Sequence, residues 1–197
     1  MTIYELKPAF QNLLRPIVNA MAKKGITPNQ VTWAAMILSL IVGGFIAITK
    51  GAVIALYIVP AFLFIRMALN AIDGMLAKEH DLKSDGGAVL NEMGDVISDA
   101  GLYLPLALIG GVDAKAVIFF VVIGIFTEMT GVLGAVIKNE RRYDGPMGKS
   151  DRAFMVGALC LLWALGVQPA LWSDIVIYAG GVLGVMTVVN RWRGALS

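Results

Sequence analysis

Six long apolar runs, near residues 30–49, 52–73, 88–111, 114–137, 152–168 and 172–190, constrain this chain more than any other feature. About 20 predominantly apolar residues are enough to cross a bilayer as a helix. Backbone groups in lipid must be satisfied within the segment, and the runs lack the alternation of barrel strands, so they read as helices. The expected fold is all-α, a polytopic membrane protein with six transmembrane helices. Composition agrees: 58% of the 197 residues are hydrophobic and 15% charged, against roughly a quarter charged in an ordinary soluble domain. Six spans leave little chain for a separate module. A single domain over 1–197 is expected, with residues 1–25 ahead of a six-helix core at 26–197.

The first 25 residues hold no uninterrupted apolar core before the first lysines, unlike a signal peptide. Ile3, Leu6, Phe10, Leu13, Ile17 and Met21 instead have the spacing of an amphipathic helix, and Lys7, Arg15, Lys23 and Lys24 suit anionic headgroups. An N-terminal interfacial helix is expected, broken or kinked by Pro8 and Pro16. Lys and Arg number 4 before the first span, 2 in the 74–87 loop, 5 between 138 and 152, and 2 at Arg191 and Arg193. The opposite loops hold only Lys50 and Lys115. Positive residues stay cytoplasmic, so both termini and the two basic loops are expected there. The net charge of +2 reflects this asymmetry and gives no reason to expect nucleic acid. The single Cys160 excludes an intrachain disulfide and reads as a small packing residue.

Polar residues at membrane depth are costly and point to function. Asn70, Asp73, Gly74 and Ala77 stand at i, i+3, i+4 and i+7, one face of a helix, at the end of the second span. Asn91, Asp95 and Asp99, spaced by four, line one face of the third. A loop of about ten residues makes these spans antiparallel neighbours, so their oxygen-bearing faces can meet. Carboxylates and amides suit Mg²⁺, Mn²⁺ or Ca²⁺, and no Cys/His cluster suggests zinc. The alternative from spacing alone is an interhelical hydrogen-bond network of Asn and Asp.

Residues 70–95 resemble the signature of the CDP-alcohol phosphatidyltransferase family, D-x2-D-G-x2-A-R-x8-G-x3-D-x3-D. The spacing is met without gaps by Asn70, Asp73, Gly74, Ala77, Lys78, Gly87, Asn91 and Asp95. Upstream, Thr27-Pro28-Asn29-Gln30-Val31-Thr32 resembles the entry to the family's first span. Three positions depart: Asn70 and Asn91 replace aspartates, and Lys78 replaces arginine. The resemblance implies transfer of a phosphatidyl group from a CDP-diacylglycerol-type donor to an alcohol acceptor, with release of CMP. It implies Mg²⁺ or Mn²⁺ as cofactor, held by Asn70, Asp73, Asn91 and Asp95, with Asp95 also the base. It implies donor contacts from Asn29, Gln30, Val31, Thr32, Gly74, Ala77, Lys78, Ser84 and Gly87. Thr27 at a helix start can also be a cap, which is compatible with donor contact. Two lost negative charges leave one metal, two weak metals or an inactive site open, with Asp99 or Glu92 as compensating carboxylates.

The 138–152 loop brings Arg141, Arg142, Lys149 and Arg152 around the turn Gly145-Pro146-Met147-Gly148. Family resemblance makes these four the acceptor site, for an alcohol that can carry phosphate; the alternative is topology control alone. Two further charges lie inside spans, Arg66 and Glu128, and an Arg66–Glu128 pair is the inexpensive structural solution; Glu128 is also an acceptor-site candidate. His80 is expected to be solvated. The expected setting is a bacterial inner membrane, with the active site facing the cytoplasm among membrane lipids, and a homodimer through the small-residue surfaces. Two other readings stay open: a catalytically impaired family member acting as a membrane partner, and a small ion transporter using Asp73, Asp95, Asp99 and Glu128.

Overall fold

All six apolar runs are helical. The computed structural model describes residues 3–197, with side chains from residue 8 onward, so the Ile3, Leu6 and Lys7 side chains of the expected amphipathic stripe lie outside the described ones. The helices are α1 (Ile3–Lys23), α2 (Pro28–Thr49), α3 (Val53–Glu79), α4 (Asp85–Tyr103), α5 (Ala114–Lys138), α6 (Lys149–Ala164) and α7 (Leu171–Leu196), with a 3-10 turn at Leu104–Leu108. No strand occurs among the described residues. The third run does not stay one helix to residue 111, because Pro105 enters just after α4 and the chain tightens into the 3-10 turn.

Among the described residues four helices, α2, α3, α5 and α7, are long and apolar enough to cross a membrane. The other two expected spans differ for separate reasons. Helix α6 has 16 residues, about 24 Å at 1.5 Å per residue, short of a hydrocarbon core of about 30 Å. Helix α4 carries Asp85, Glu92, Asp95 and Asp99 within 19 residues. Large apolar side chains nevertheless face outward: Ile48 is 85% exposed, Val136 74% and Phe154 79%, as lipid-facing positions require.

The helices group into two compact units, one of residues up to 38 with 64–95, the other of 39–63 with 96–197. In the first, Leu14 and Val18 of α1 join Val31 of α2 and Ile72, Met75 and Leu76 of α3 in an apolar core. Helix α1 runs unbroken through Pro8 and Pro16, so of the expected break or kink the break does not occur. The burial of Leu14 and Val18 and the Arg15–Glu79 ion pair (3.1 Å) hold it on either side of Pro16. It closes at Gly25, in the left-handed region at φ 74°, with Gly25 N–H donating to Ala22 O and Ile26 N–H to Met21 O. That pair of bonds is a Schellman stop. His80 is not simply solvated: half-buried, its Nε2 lies 3.2 Å from Asn19 Oδ1.

In the second unit, Val59, Leu102, Tyr103, Val117, Phe120, Cys160 and Trp163 form the core. Cys160 is fully buried and free, a packing residue as expected. Small residues set helix distances here. Gly43 of α2 lies against the Gly101 carbonyl of α4, and a Cβ on Gly184 of α7 would stand 2.6 Å from Ile123 Cγ2 of α5.

Candidate functional site

The entry to α2 is built by its own side chains. Thr27 Oγ1 accepts from Gln30 N–H (3.3 Å), and Gln30 Oε1 accepts from Thr27 N–H (2.9 Å). This is a capping box, with Pro28 at the first helical position where its missing N–H costs nothing. Gln30 is thus a cap, and Val31 is buried in the apolar core. Asn29 and Thr32 are the polar side chains of this turn that reach the patch. Thr32 Oγ1 donates to Asp73 Oδ2 at 3.0 Å.

Helices α3 and α4 extend toward each other beyond their apolar runs, so only residues 80–84 join them, a shorter loop than expected. Ser84 caps α4, its Oγ accepting from Gly87 N–H at 3.0 Å. A Cβ on Gly87 would come within 2.8 Å of Asn29 Oδ1 and 2.9 Å of Ser84 Oγ, so glycine lets Asn29, Ser84 and the α4 backbone converge. A Cβ on Gly74 meets nothing within 4 Å, which leaves that flank of α3 open. Lys78 is exposed; Ala77 and Asn91 are half-buried.

Asp73 and Asp95 are 6% and 7% exposed. Asn70 Nδ2 donates to Asp95 Oδ1 at 3.2 Å, joining α3 to α4. Arg66 Nη2 donates to the Asp95 backbone carbonyl (3.3 Å) and lies 3.6 Å from Asp95 Oδ1. Arg66 thus pairs with Asp95, where Glu128 was the partner expected from sequence. Residues 66, 70, 73 and 77 stand at i, i+4, i+7 and i+11, which puts Arg66 on the motif's own face of α3. That signal was available in the sequence and selects Asp95 over a carboxylate on α5.

Among the described residues no group of three or more His, Cys, Asp or Glu side chains is placed to hold a metal. A cation here would rely on Asp73, Asp95 and the amides of Asn70 and Asn91. The donor chemistry fits one hard divalent cation. Asn70 spends its N–H on Asp95 and so has its amide oxygen to offer, and a carboxylate has about four lone-pair sites, enough for a Thr32 bond and a cation on Asp73. Two carboxylates and Arg66 sum to a formal charge of −1.

A second charged cluster belongs to the other unit. Arg152, 2% exposed, donates Nε and Nη2 to Asp99 Oδ2 (3.2 and 2.9 Å), Nη2 to Glu128 Oε1 (2.8 Å) and Nη1 to Thr127 Oγ1 (2.7 Å). Arg141 Nη2 donates to Glu128 Oε2 at 2.7 Å, and Arg191 Nη1 lies 3.8 Å from Glu128 Oε1. Arg142 grips Asp144 with two bonds (2.9 and 3.2 Å). The loop is shaped, as its turn residues implied. Met147 N–H donates to Thr187 Oγ1 (2.9 Å), Arg191 Nε to the Asp144 carbonyl (3.2 Å), and Gly145 at φ 115° packs on Thr187. Lys149 is half-buried at the start of α6. Sequence reasoning counted Arg191 only toward topology and did not see Asp99 as the partner of Arg152.

The family profile described as CDP-alcohol phosphatidyltransferase matches residues 25–189. The chain is 42% identical over 196 residues to the inner membrane protein YnbA of Escherichia coli (strain K12), covering 100% of this chain and 97% of that one. Among solved structures it resembles the Mycobacterium tuberculosis phosphatidylinositol phosphate synthase PgsA1 with CDP-DAG bound, at TM-score 0.75 and 17% identity, over 92% of each chain. The same enzyme in complex with manganese and citrate gives TM-score 0.76 at 18% identity, over 92% of this chain and 88% of that one. At such identities the likeness establishes a shared fold.

Proposed function

The chain belongs to the CDP-alcohol phosphatidyltransferase family, and on that premise we propose that it moves a phosphatidyl group from a CDP-diacylglycerol-type donor to an alcohol, releasing CMP with the help of a divalent cation. The observation that carries this reading is the joining of the two motif helices at Asn70–Asp95, with Asp73 beside Thr32 on the same motif. Asn70, Asp73, Asn91 and Asp95 hold the cation, Mg²⁺ or Mn²⁺; when bound it neutralises charge on the donor's pyrophosphate. Asn29, Thr32, Lys78, Ser84 and the glycine-permitted surfaces at Gly74 and Gly87 receive the donor's nucleotide end. Gln30 and Val31 support that turn from behind, as cap and core.

The acceptor hydroxyl oxygen bonds to the phosphorus that carries the diacylglycerol. The bond from that phosphorus to the bridging oxygen breaks, CMP leaves with the electron pair, and the hydroxyl proton passes to the Asp95 carboxylate. Arg66 holds the Asp95 backbone and side chain, fixing where that base sits. Acceptor recognition falls to the 138–152 loop and the side chains it carries. In this reading α4 and α6 complete six spans, α1 lies at the interface, the termini and the motif face the cytoplasm of an inner membrane, and two chains pair. Cysteines placed at positions 82 and 145 are then labelled only from the cytoplasmic side.

Two aspartate-to-asparagine departures favour a second reading, a catalytically impaired relative acting as a membrane partner. CMP release from CDP-diacylglycerol, with Mg²⁺ or Mn²⁺ and a panel of alcohols, separates the two. Release that needs both cation and alcohol supports the transferase; none across the panel supports the partner.

A further inference from the structure

The charged cluster around Glu128 carries an inference about the substrate, and it rests on the transferase reading. We propose that the acceptor is an alcohol without a phosphate group. A phosphate-binding arginine must have N–H donors facing the ligand, and a charge its surroundings have not cancelled. Here most of that charge is already met inside the protein, with two carboxylates set among three arginines. Glu128, 4% exposed, places one carboxylate oxygen on Arg141 and the other on Arg152, with Arg191 at 3.8 Å. Asp99 takes two further donors of Arg152. A guanidinium has five N–H donors, and Arg152 commits four of them, to Asp99, Thr127 and Glu128.

Space gives the same answer. The cavity against Asp99, Glu128 and Arg152 has a volume of about 10 Å³, room for about one water. A phosphate arriving there would meet two buried carboxylates and would have to displace one of them. Neither can move to water cheaply, because each would take a charged partner from the buried Arg152 guanidinium. Arg142, the remaining guanidinium of the loop, is held by the Asp144 fork and leans toward Gly194 of α7. Specificity of this kind comes from repulsion of the wrong substrate rather than from an added contact to the right one. An uncharged polyol or a small amino alcohol has no need of these arginines for recognition and meets no such penalty.

The test has two arms on the full-length protein in detergent. In the first, CMP release from CDP-diacylglycerol is compared for glycerol, myo-inositol and serine against glycerol 3-phosphate and inositol phosphate. The expected result is a kcat/KM at least tenfold higher for one of the unphosphorylated alcohols than for either phosphate ester. Equal or better use of a phosphate ester overturns the proposal. Silence with every acceptor would count against the transferase reading, and the second arm then decides the proposal by itself. It measures thermal stabilisation and saturable binding by inorganic phosphate and glycerol 3-phosphate. The wild-type protein is expected to show neither at millimolar ligand, whereas Glu128→Gln, with three arginines relieved of a shared carboxylate, gains at least tenfold in phosphate affinity. Saturable phosphate binding by wild type that Arg152→Lys weakens overturns the proposal, and this wild-type measurement stands whether or not the Glu128 variant folds.

Discussion

Asn70 donates its side-chain amide to the carboxylate of Asp95, 3.2 Å away across the contact between α3 and α4. An aspartate at position 70 could not make that bond. It would set two carboxylates against each other, with Arg66 beside them as a partial offset. The asparagine thus replaces an electrostatic demand for metal by a hydrogen bond that exists without it, which gives a direct test of how the site is held together.

Asn70→Asp is expected to lower thermal stability in chelator, since a part-buried hydrogen bond becomes a like-charge contact at a cost of about 1–3 kcal/mol. Millimolar Mg²⁺ or Mn²⁺ should restore more stability to this variant than to wild type, and Asn70→Asp/Asn91→Asp should lower the cation concentration needed for half-maximal effect. The measurement is a thermal unfolding series in detergent over a metal titration. Identical metal responses in variant and wild type would show that these positions face no cation. Asp73→Ala and Asp95→Ala should each abolish the divalent response and CMP formation.

Arg66 tests the same site from the other side. It is 3% exposed and lies on both the backbone and the side chain of Asp95. Removing one partner of a buried pair costs about 3–5 kcal/mol, so Arg66→Gln should be markedly less stable in chelator. The site charge then falls from −1 to −2, and cation should rescue the variant at lower concentration than wild type needs. Unfolding midpoints with and without Mg²⁺ decide; loss of stability that no cation repairs would make Arg66 purely structural.

Packing at the α2–α4 contact gives a sharper comparison. Gly43 lies on the Gly101 carbonyl, whereas a Cβ on the adjacent Gly44 meets nothing within 4 Å. Gly43→Ala must push backbone against backbone and is expected to cost about 1–3 kcal/mol. Gly44→Ala should be neutral or stabilising, since alanine is favoured over glycine in a helix by about 1 kcal/mol. Equal effects of the two in thermal unfolding would mean the helices do not meet at Gly43.

How much of this was legible in the sequence depended on the range of the interaction. The apolar runs located six helices to within a few residues at most ends, and Thr27 with Gln30 three residues on spelled the α2 cap, because these signals are local. The spacing of Asn70, Asp73, Asn91 and Asp95 announced two polar faces. Partner choice was harder. Glu128 was matched to Arg66 although it is held by Arg141, Arg152 and Arg191, residues that only the folded 138–152 loop and α7 bring to it. Unbroken α1 is a similar case: Pro16 removes one helix bond, but burial of Leu14 and Val18 against α2 and α3 outweighs the loss. Hydropathy likewise overstated α6, whose run continues past the helix end at Ala164 into the turn at Gly166.

The buried Arg152 cluster is where single and double replacements should differ most. Arg152 and Asp99 share two hydrogen bonds at 3.2 and 2.9 Å, both side chains being largely withdrawn from solvent. Arg152→Met leaves Asp99 and Glu128 facing each other without their common cation, and a loss of about 3–5 kcal/mol is expected. Asp99→Asn is expected to cost less, because Glu128 and Thr127 still hold Arg152. If the Arg152–Asp99 bonds carry the coupling, the double variant Arg152→Met/Asp99→Asn should be more stable than the sum of the two losses predicts, by about 0.5–3 kcal/mol, the range for residues in one network. The measurement is a double-mutant cycle on thermal unfolding in one detergent. Strict additivity would assign the stabilisation of Arg152 to Glu128 alone, and repeating the cycle with Glu128→Gln would then show the coupling that Asp99 lacked.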